Sequence, residues 1–145
     1  MTGDPGPVHA TAVARWTGVR GGWRAALLSG PPGAGKSDLA LRLIGGGWRL
    51  VGDDYVHLFA SGGTLFARAP ETIAGRMEIR GHGVVAVCPL GLARVGLAVE
   101  LTREPVERLP EAAWRAFAGV SVPLLRLDPR EVSAGEKVAA ALARL

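Results

Sequence analysis

The chain has 145 residues, enough for one domain with a real core. Hydrophobic residues make up 48% of it, which excludes a disordered chain, and no apolar run of about 18 residues is present to span a membrane. The net charge is +4, but there is no Lys/Arg block and the four Trp are scattered, which argues against nucleic-acid binding.

Residues 1–7 are Pro/Gly-rich and lack the basic and apolar regions of a signal peptide, so they read as a flexible lead. Cys88 stands alone, so no intramolecular disulfide can form. Both features point to a cytoplasmic protein. Residues 8–14 alternate small and β-branched side chains and predict a strand, followed by a turn at 17–22 and a strand at 23–29. A helix is predicted over 36–44, with Leu39, Leu43 and Ile44 on one face, stopped by Gly45-Gly46-Gly47. A short strand at 48–51 ends at Gly52-Asp53-Asp54. Segments 55–59 and 64–68 predict a hairpin around Ser61-Gly62-Gly63.

Residues 70–76 are irregular or a short helix. Short apolar segments at 77–80 and 84–88 flank Gly81-His82-Gly83, and a strand follows at 94–101. The pattern then predicts a helix at 110–117, a strand at 120–127 and a final helix at 133–145 with Ser133 as N-cap and Glu136 three residues on. Regular βαβ alternation is missing over 48–101. The expected fold is therefore α/β: one domain with a mixed sheet of substantial antiparallel content, carrying one phosphate-binding loop.

That loop is Gly30-Pro31-Pro32-Gly33-Ala34-Gly35-Lys36-Ser37, which satisfies G-x-x-x-x-G-K-[ST] between a predicted strand and a predicted helix. Glycines let the backbone turn its N–H groups toward phosphate oxygens, and the helix N-terminus adds partial positive charge. In this pattern Lys36 reaches the β- and γ-phosphates and the Ser37 hydroxyl binds Mg²⁺. Only two of the 17 basic residues are Lys, and one stands here, where a compact charge on a slim stem is needed. Asp53 and Asp54, 17 and 18 residues after Lys36, are the best candidates for the acidic role at the neighbouring strand end. Glu100, after the apolar run 95–99, reads as a strand-end residue. His9, His57 and His82 carry no strong functional signal by themselves.

Three blocks now converge. Gly30 to Ser37, then Trp48-Arg49-Leu50-Val51-Gly52-Asp53-Asp54, then Met77-Glu78-Ile79-Arg80-Gly81-His82-Gly83-Val84-Val85 resemble, in order, the motifs of the HPr kinase/phosphorylase catalytic domain. The resemblance covers roughly residues 8–90 well and the remainder weakly. It implies an HPr kinase/PEP carboxykinase-like fold and a kinase that uses ATP and Mg²⁺ to phosphorylate a serine of an HPr-like phosphocarrier protein. It also implies the reverse phosphorylase activity and a homo-oligomer, commonly a hexamer.

By position, the resemblance makes His9 a catalytic histidine, with Ala10 departing from the usual Gly. It makes Asp53 and Asp54 the pair that takes the proton of the target serine. It gives Glu78 a share of the Mg²⁺ with Ser37, and it places Arg80 and Gly81 in the catalytic signature. Arg126 is the nearest counterpart of a later catalytic Arg, with Arg130 a second candidate. The pattern is that of a short, catalytic-domain-only form with an abbreviated C-terminal extension. Two other functions stay open on the residues alone: an ATP-sensing module that transfers nothing, and a small-molecule kinase with the same loop. The second would carry an Arg-rich lid after a βαβ run, which this sequence lacks.

Overall fold

The computed structural model describes residues 6–87 and 89–143. Most of the predicted flexible lead, Cys88 and the last two residues of the predicted final helix lie outside the described residues. Two strands form the centre: β3 (Trp23–Ser29) and β9 (Ala93–Leu101), which pair in parallel. Both are apolar on both faces, as a strand covered on two sides must be. After the 17–22 turn, closed by Thr17 N–H on the Gly22 carbonyl at 2.8 Å, β2 (Thr11–Trp16) lies antiparallel to β3. Strand β4 (Arg49–Gly52) pairs antiparallel with β2 at the sheet edge.

The other edge of β9 is shared. Its N-terminal end takes β6 (Thr64–Arg68) antiparallel, and its C-terminal half takes β11 (Val120–Leu127) in parallel. Strand β6 forms a hairpin with β5 (Tyr55–Ser61), which in turn pairs with the two-residue β1 (Val8–His9). Only Ala10 separates β1 from β2, yet the two stand near opposite ends of the strand order. The nine-stranded sheet must therefore curl back on itself. A mixed sheet of substantial antiparallel content in an α/β domain is the predicted fold class.

Curling divides the core in two. Inside the curl lie Ala12, Ala14, Ala25, Leu27, Val51, Val56, Leu65 and Val95, whose many alanines allow close approach. On the outer face, α1 (Lys36–Gly45) and α2 (Ala134–Ala143) press Leu39, Leu43, Val138 and Leu142 onto Val13, Leu28, Leu97 and Val99. Each such buried Leu contributes about 1.5–3 kcal/mol. Strand β9 changes which of its alternate residues face each layer because its register slips: Val95 opposes Ala25, but Leu97 opposes Ala26. The extra residue, Gly96, turns the side-chain alternation over, so Val95 faces the inner core and Leu97 the helices.

A separate two-stranded sheet, β7 (Arg76–Ile79) with β8 (Gly83–Ala86), lies beside α1 and anchors itself through buried Met77. A 3₁₀ turn at Glu71–Ile73 precedes it. Among the described residues no helix is long and apolar enough to cross a membrane.

Two predicted elements are corrected. The 8–14 strand is broken at Ala10 into β1 and β2, which pair with different strands. Residues 110–117 do not form a helix; Ala113–Phe117 is strand β10, antiparallel to β11. Ala118 and Gly119, at φ 49° and 79°, make the two-residue left-handed turn that joins hairpin strands. Strand β10 pairs with Val120–Leu124 of β11, and β9 pairs with Leu124–Leu127, so the two partners overlap only at Leu124.

Candidate active site

Strand β3 delivers the chain into the 30–35 loop, and α1 starts at Lys36. The loop is closed by the Ala34 N–H on the Pro31 carbonyl at 3.0 Å. Gly35 takes φ 104°, a conformation that favours glycine, and a Cβ there would press to 3.3 Å from Pro129. No side chain caps α1, which leaves its first N–H groups turned to the loop for an anion. Lys36 is only 7% exposed and lies along the loop, its Nζ donating to the carbonyls of Gly30 at 3.0 Å and Pro31 at 3.3 Å.

The next strand end brings the carboxylates. Asp53, 7% exposed, accepts at one oxygen, Oδ1, from the Ser37 hydroxyl at 2.7 Å and from the Thr11 hydroxyl at 3.0 Å. Asp54 is exposed and stands at φ 69°, a left-handed conformation that Asp tolerates better than most residues. Two bonds hold the turn: Asp54 N–H to the Thr11 hydroxyl at 3.1 Å, and Tyr55 N–H to the Asp53 carbonyl at 2.8 Å. The Asp54 carboxylate meets His9 Nε2 at 2.6 Å, and the His9 ring lies 5.2 Å from that of Tyr55. Three distant stretches thus meet: β1–β2 through His9 and Thr11, the loop and α1 through Lys36 and Ser37, and the β4–β5 turn through Asp53 and Asp54.

Other predicted site residues are not bonded to this cluster among the described residues. Glu78 and Arg80 are exposed, on β7 and in the turn after it. Among the described residues no hydrogen bond or ion pair joins them to the cluster. Arg126 faces Glu100 across β11 and β9 at 3.9 Å. Arg130 grips Asp128 at 2.8 Å, and its guanidinium and backbone N–H hold that carboxyl down from 3.8 to about 2. The same loop seats Pro129 against Gly35 and receives the Arg42 guanidinium on the Pro129 carbonyl, bracing the 30–35 loop from outside.

The sequence reading missed two residues. Thr11 gives no signal beyond lying two positions after His9. Arg115, stacked on Phe117 at 4.9 Å, reaches the Ser29 hydroxyl at 3.4 Å, at the entry to the loop. It was hidden because its segment was expected to be helical.

Oxygen chemistry at this point fits Mg²⁺. The Ser37 hydroxyl and the Asp53 carboxylate are hard donors in mutual contact, and Mg²⁺ commonly takes one or two carboxylates together with substrate phosphates and water. Among the described residues no group of three or more His, Cys, Asp or Glu is placed to hold a metal.

The model of the HPr Serine kinase C-terminal domain family matches residues 24–127, more than half of the chain. An HPr kinase/phosphorylase of Clostridium botulinum (strain Eklund 17B / Type B) is 44% identical over 70 residues, covering 48% of this chain and 23% of that protein. One of Mycoplasma pneumoniae is 46% identical over 61 residues, covering 42% of this chain and 20% of that protein. This chain therefore matches less than a quarter of the length of either relative. The solved structure of the Hpr(Ser) kinase/phosphatase from Coxiella burnetii has the same fold: TM-score 0.78 at 21% identity, over 95% of this chain and 94% of that one.

Proposed function

The chain belongs to the HPr Serine kinase C-terminal domain family, and we propose that it is an ATP-dependent serine kinase acting on a small HPr-like phosphocarrier protein. The observation that carries this reading is the meeting of Lys36 and Ser37 with the His9–Asp54 and Asp53 carboxylates at one loop mouth.

The two aspartates divide the work. Asp53 is buried on Ser37 and serves the nucleotide side, where Ser37 and Asp53 would hold Mg²⁺ and Glu78 belongs to the same proposed metal set. Bound Mg²⁺ supplies charge neutralisation on the phosphates. Asp54 is exposed and faces the protein acceptor. It takes the proton of the serine hydroxyl as that oxygen bonds to the terminal phosphorus and the bond to the ADP oxygen breaks. His9 orients the Asp54 carboxylate through its 2.6 Å contact. Lys36, with Arg80 and Arg126 as further proposed cations, offsets charge on the transferring group. The names of the relatives couple kinase with phosphorylase: in that direction an oxygen of inorganic phosphate bonds to the phosphorus of the phosphoserine, its proton passes through Asp54 to the serine oxygen as the serine O–P bond breaks, and pyrophosphate leaves. A cytoplasmic homo-oligomer completes the proposal.

The test is transfer of label from γ-labelled Mg·ATP to purified HPr. Label appears on one serine, and an HPr with that serine replaced by alanine stays unlabelled. Unlabelled HPr alongside a phosphorylated metabolite, or ATP bound with no transfer to anything, overturns the proposal.

A further inference from the structure

We infer that Thr11 is the positioning residue that sorts the two aspartates, turning Asp53 inward and presenting Asp54 outward; the inference rests on the kinase reading above. Thr11 is fully buried at the start of β2. A buried hydroxyl is costly unless paired, and valine would fill the same volume with equal strand preference. The hydroxyl is therefore the part of Thr11 that needs a reason.

Its bonding supplies one. A hydroxyl offers one hydrogen and two lone pairs. The Asp54 N–H can only donate, so the Thr11 oxygen accepts it at 3.1 Å. The Thr11 hydrogen is then free for the Asp53 carboxylate at 3.0 Å. One side chain thus grips the side chain of the first aspartate and the backbone of the second. Asp53 is drawn to the Ser37 side, and Asp54 is held at φ 69° with its carboxylate turned to His9. Two neighbours on a continuing strand would also face opposite ways, but β4 ends at Gly52, so the turn needs another constraint. His9 ends β1 and Thr11 begins β2 with only Ala10 between them, so one short stretch of chain both orients the Asp54 carboxylate and fixes its backbone.

Thr11→Val, Thr11→Ala and Thr11→Ser test this with two readouts. In the transfer assay, loss of the hydroxyl lowers kcat by about 10²-fold, the scale of a small misplacement of reacting groups, with KM for ATP little changed. Thr11→Ser restores kcat to within about threefold, since it keeps donor and acceptor. A merely space-filling Thr11 gives the opposite order: Val close to wild type, Ser no better than Ala. If Val does not fold, Ala against Ser carries the same comparison. The second readout needs no activity. Hydrogen exchange at the Asp54 amide accelerates in Val and Ala and recovers in Ser, while the β3 and β9 amides stay protected. Unchanged Asp54 exchange in Val and Ala overturns the inference. A wild type that transfers no phosphate but shows this exchange pattern defeats the kinase reading and leaves the sorting role standing.

Discussion

Lys36→Met will lower the rate of phosphoryl transfer by about 10³-fold while leaving the fold intact, the scale expected when one preorganised charge is removed from a developing anion. The ammonium is already delivered: it is 7% exposed and lies on the Gly30 and Pro31 carbonyls, at the mouth the phosphates would enter. Little reorganisation is then needed when charge develops on the transferring group. Methionine keeps the length and apolar stem, so the packing of α1 on Leu39 and Leu43 is retained. Lys36→Arg will not rescue the rate, because a planar guanidinium does not fit the slot of a slim ammonium. Single-turnover transfer read beside thermal unfolding checks both halves. A Lys36→Met protein that folds normally and transfers at the wild-type rate contradicts the role.

Asp54→Asn will lower kcat by about 10³-fold, within the range of a general base, with nucleotide affinity nearly unchanged. Asparagine keeps the shape and tolerates the left-handed conformation at φ 69°, so the turn survives. What disappears is the carboxylate that faces His9 and can take a serine proton. Asp53→Asn should differ in kind. That carboxylate accepts from both Ser37 and Thr11, so its loss weakens Mg²⁺-dependent nucleotide binding as well as the rate. Equilibrium binding of ATP with and without Mg²⁺, next to transfer rates, separates the two. Equal loss of binding in both variants would contradict the division of labour.

Much of the fold was legible because it follows local rules. The 23–29 strand, the 36–44 helix and the Gly62-Gly63 hairpin each announce themselves through apolar period, glycine stops or turn residues. The 110–117 segment was not legible. Pro110 and Glu111 look like a helix start, whereas the edge of β11 that fixes Ala113–Phe117 as a strand exists only in the folded sheet. The curl was equally hidden, since it depends on one residue, Ala10, between β1 and β2. In the site, Lys36, Ser37 and the two aspartates stood out by spacing and chemistry. Their unequal burial, 7% for Asp53 against an exposed Asp54, depends on partners 42 and 43 residues away in Thr11 and could not be read from the adjacent letters.

Hydrogen exchange on the chain with and without Mg·ATP tests most directly whether these stretches form one nucleotide cradle. The expected result is protection of the Gly33–Ser37 amides and of the 53–54 turn together, with the far ends of β5 and β6 unchanged, and no such protection in Lys36→Met. Exchange that is unaltered at 33–37, or that slows only at surfaces away from Lys36, contradicts the account.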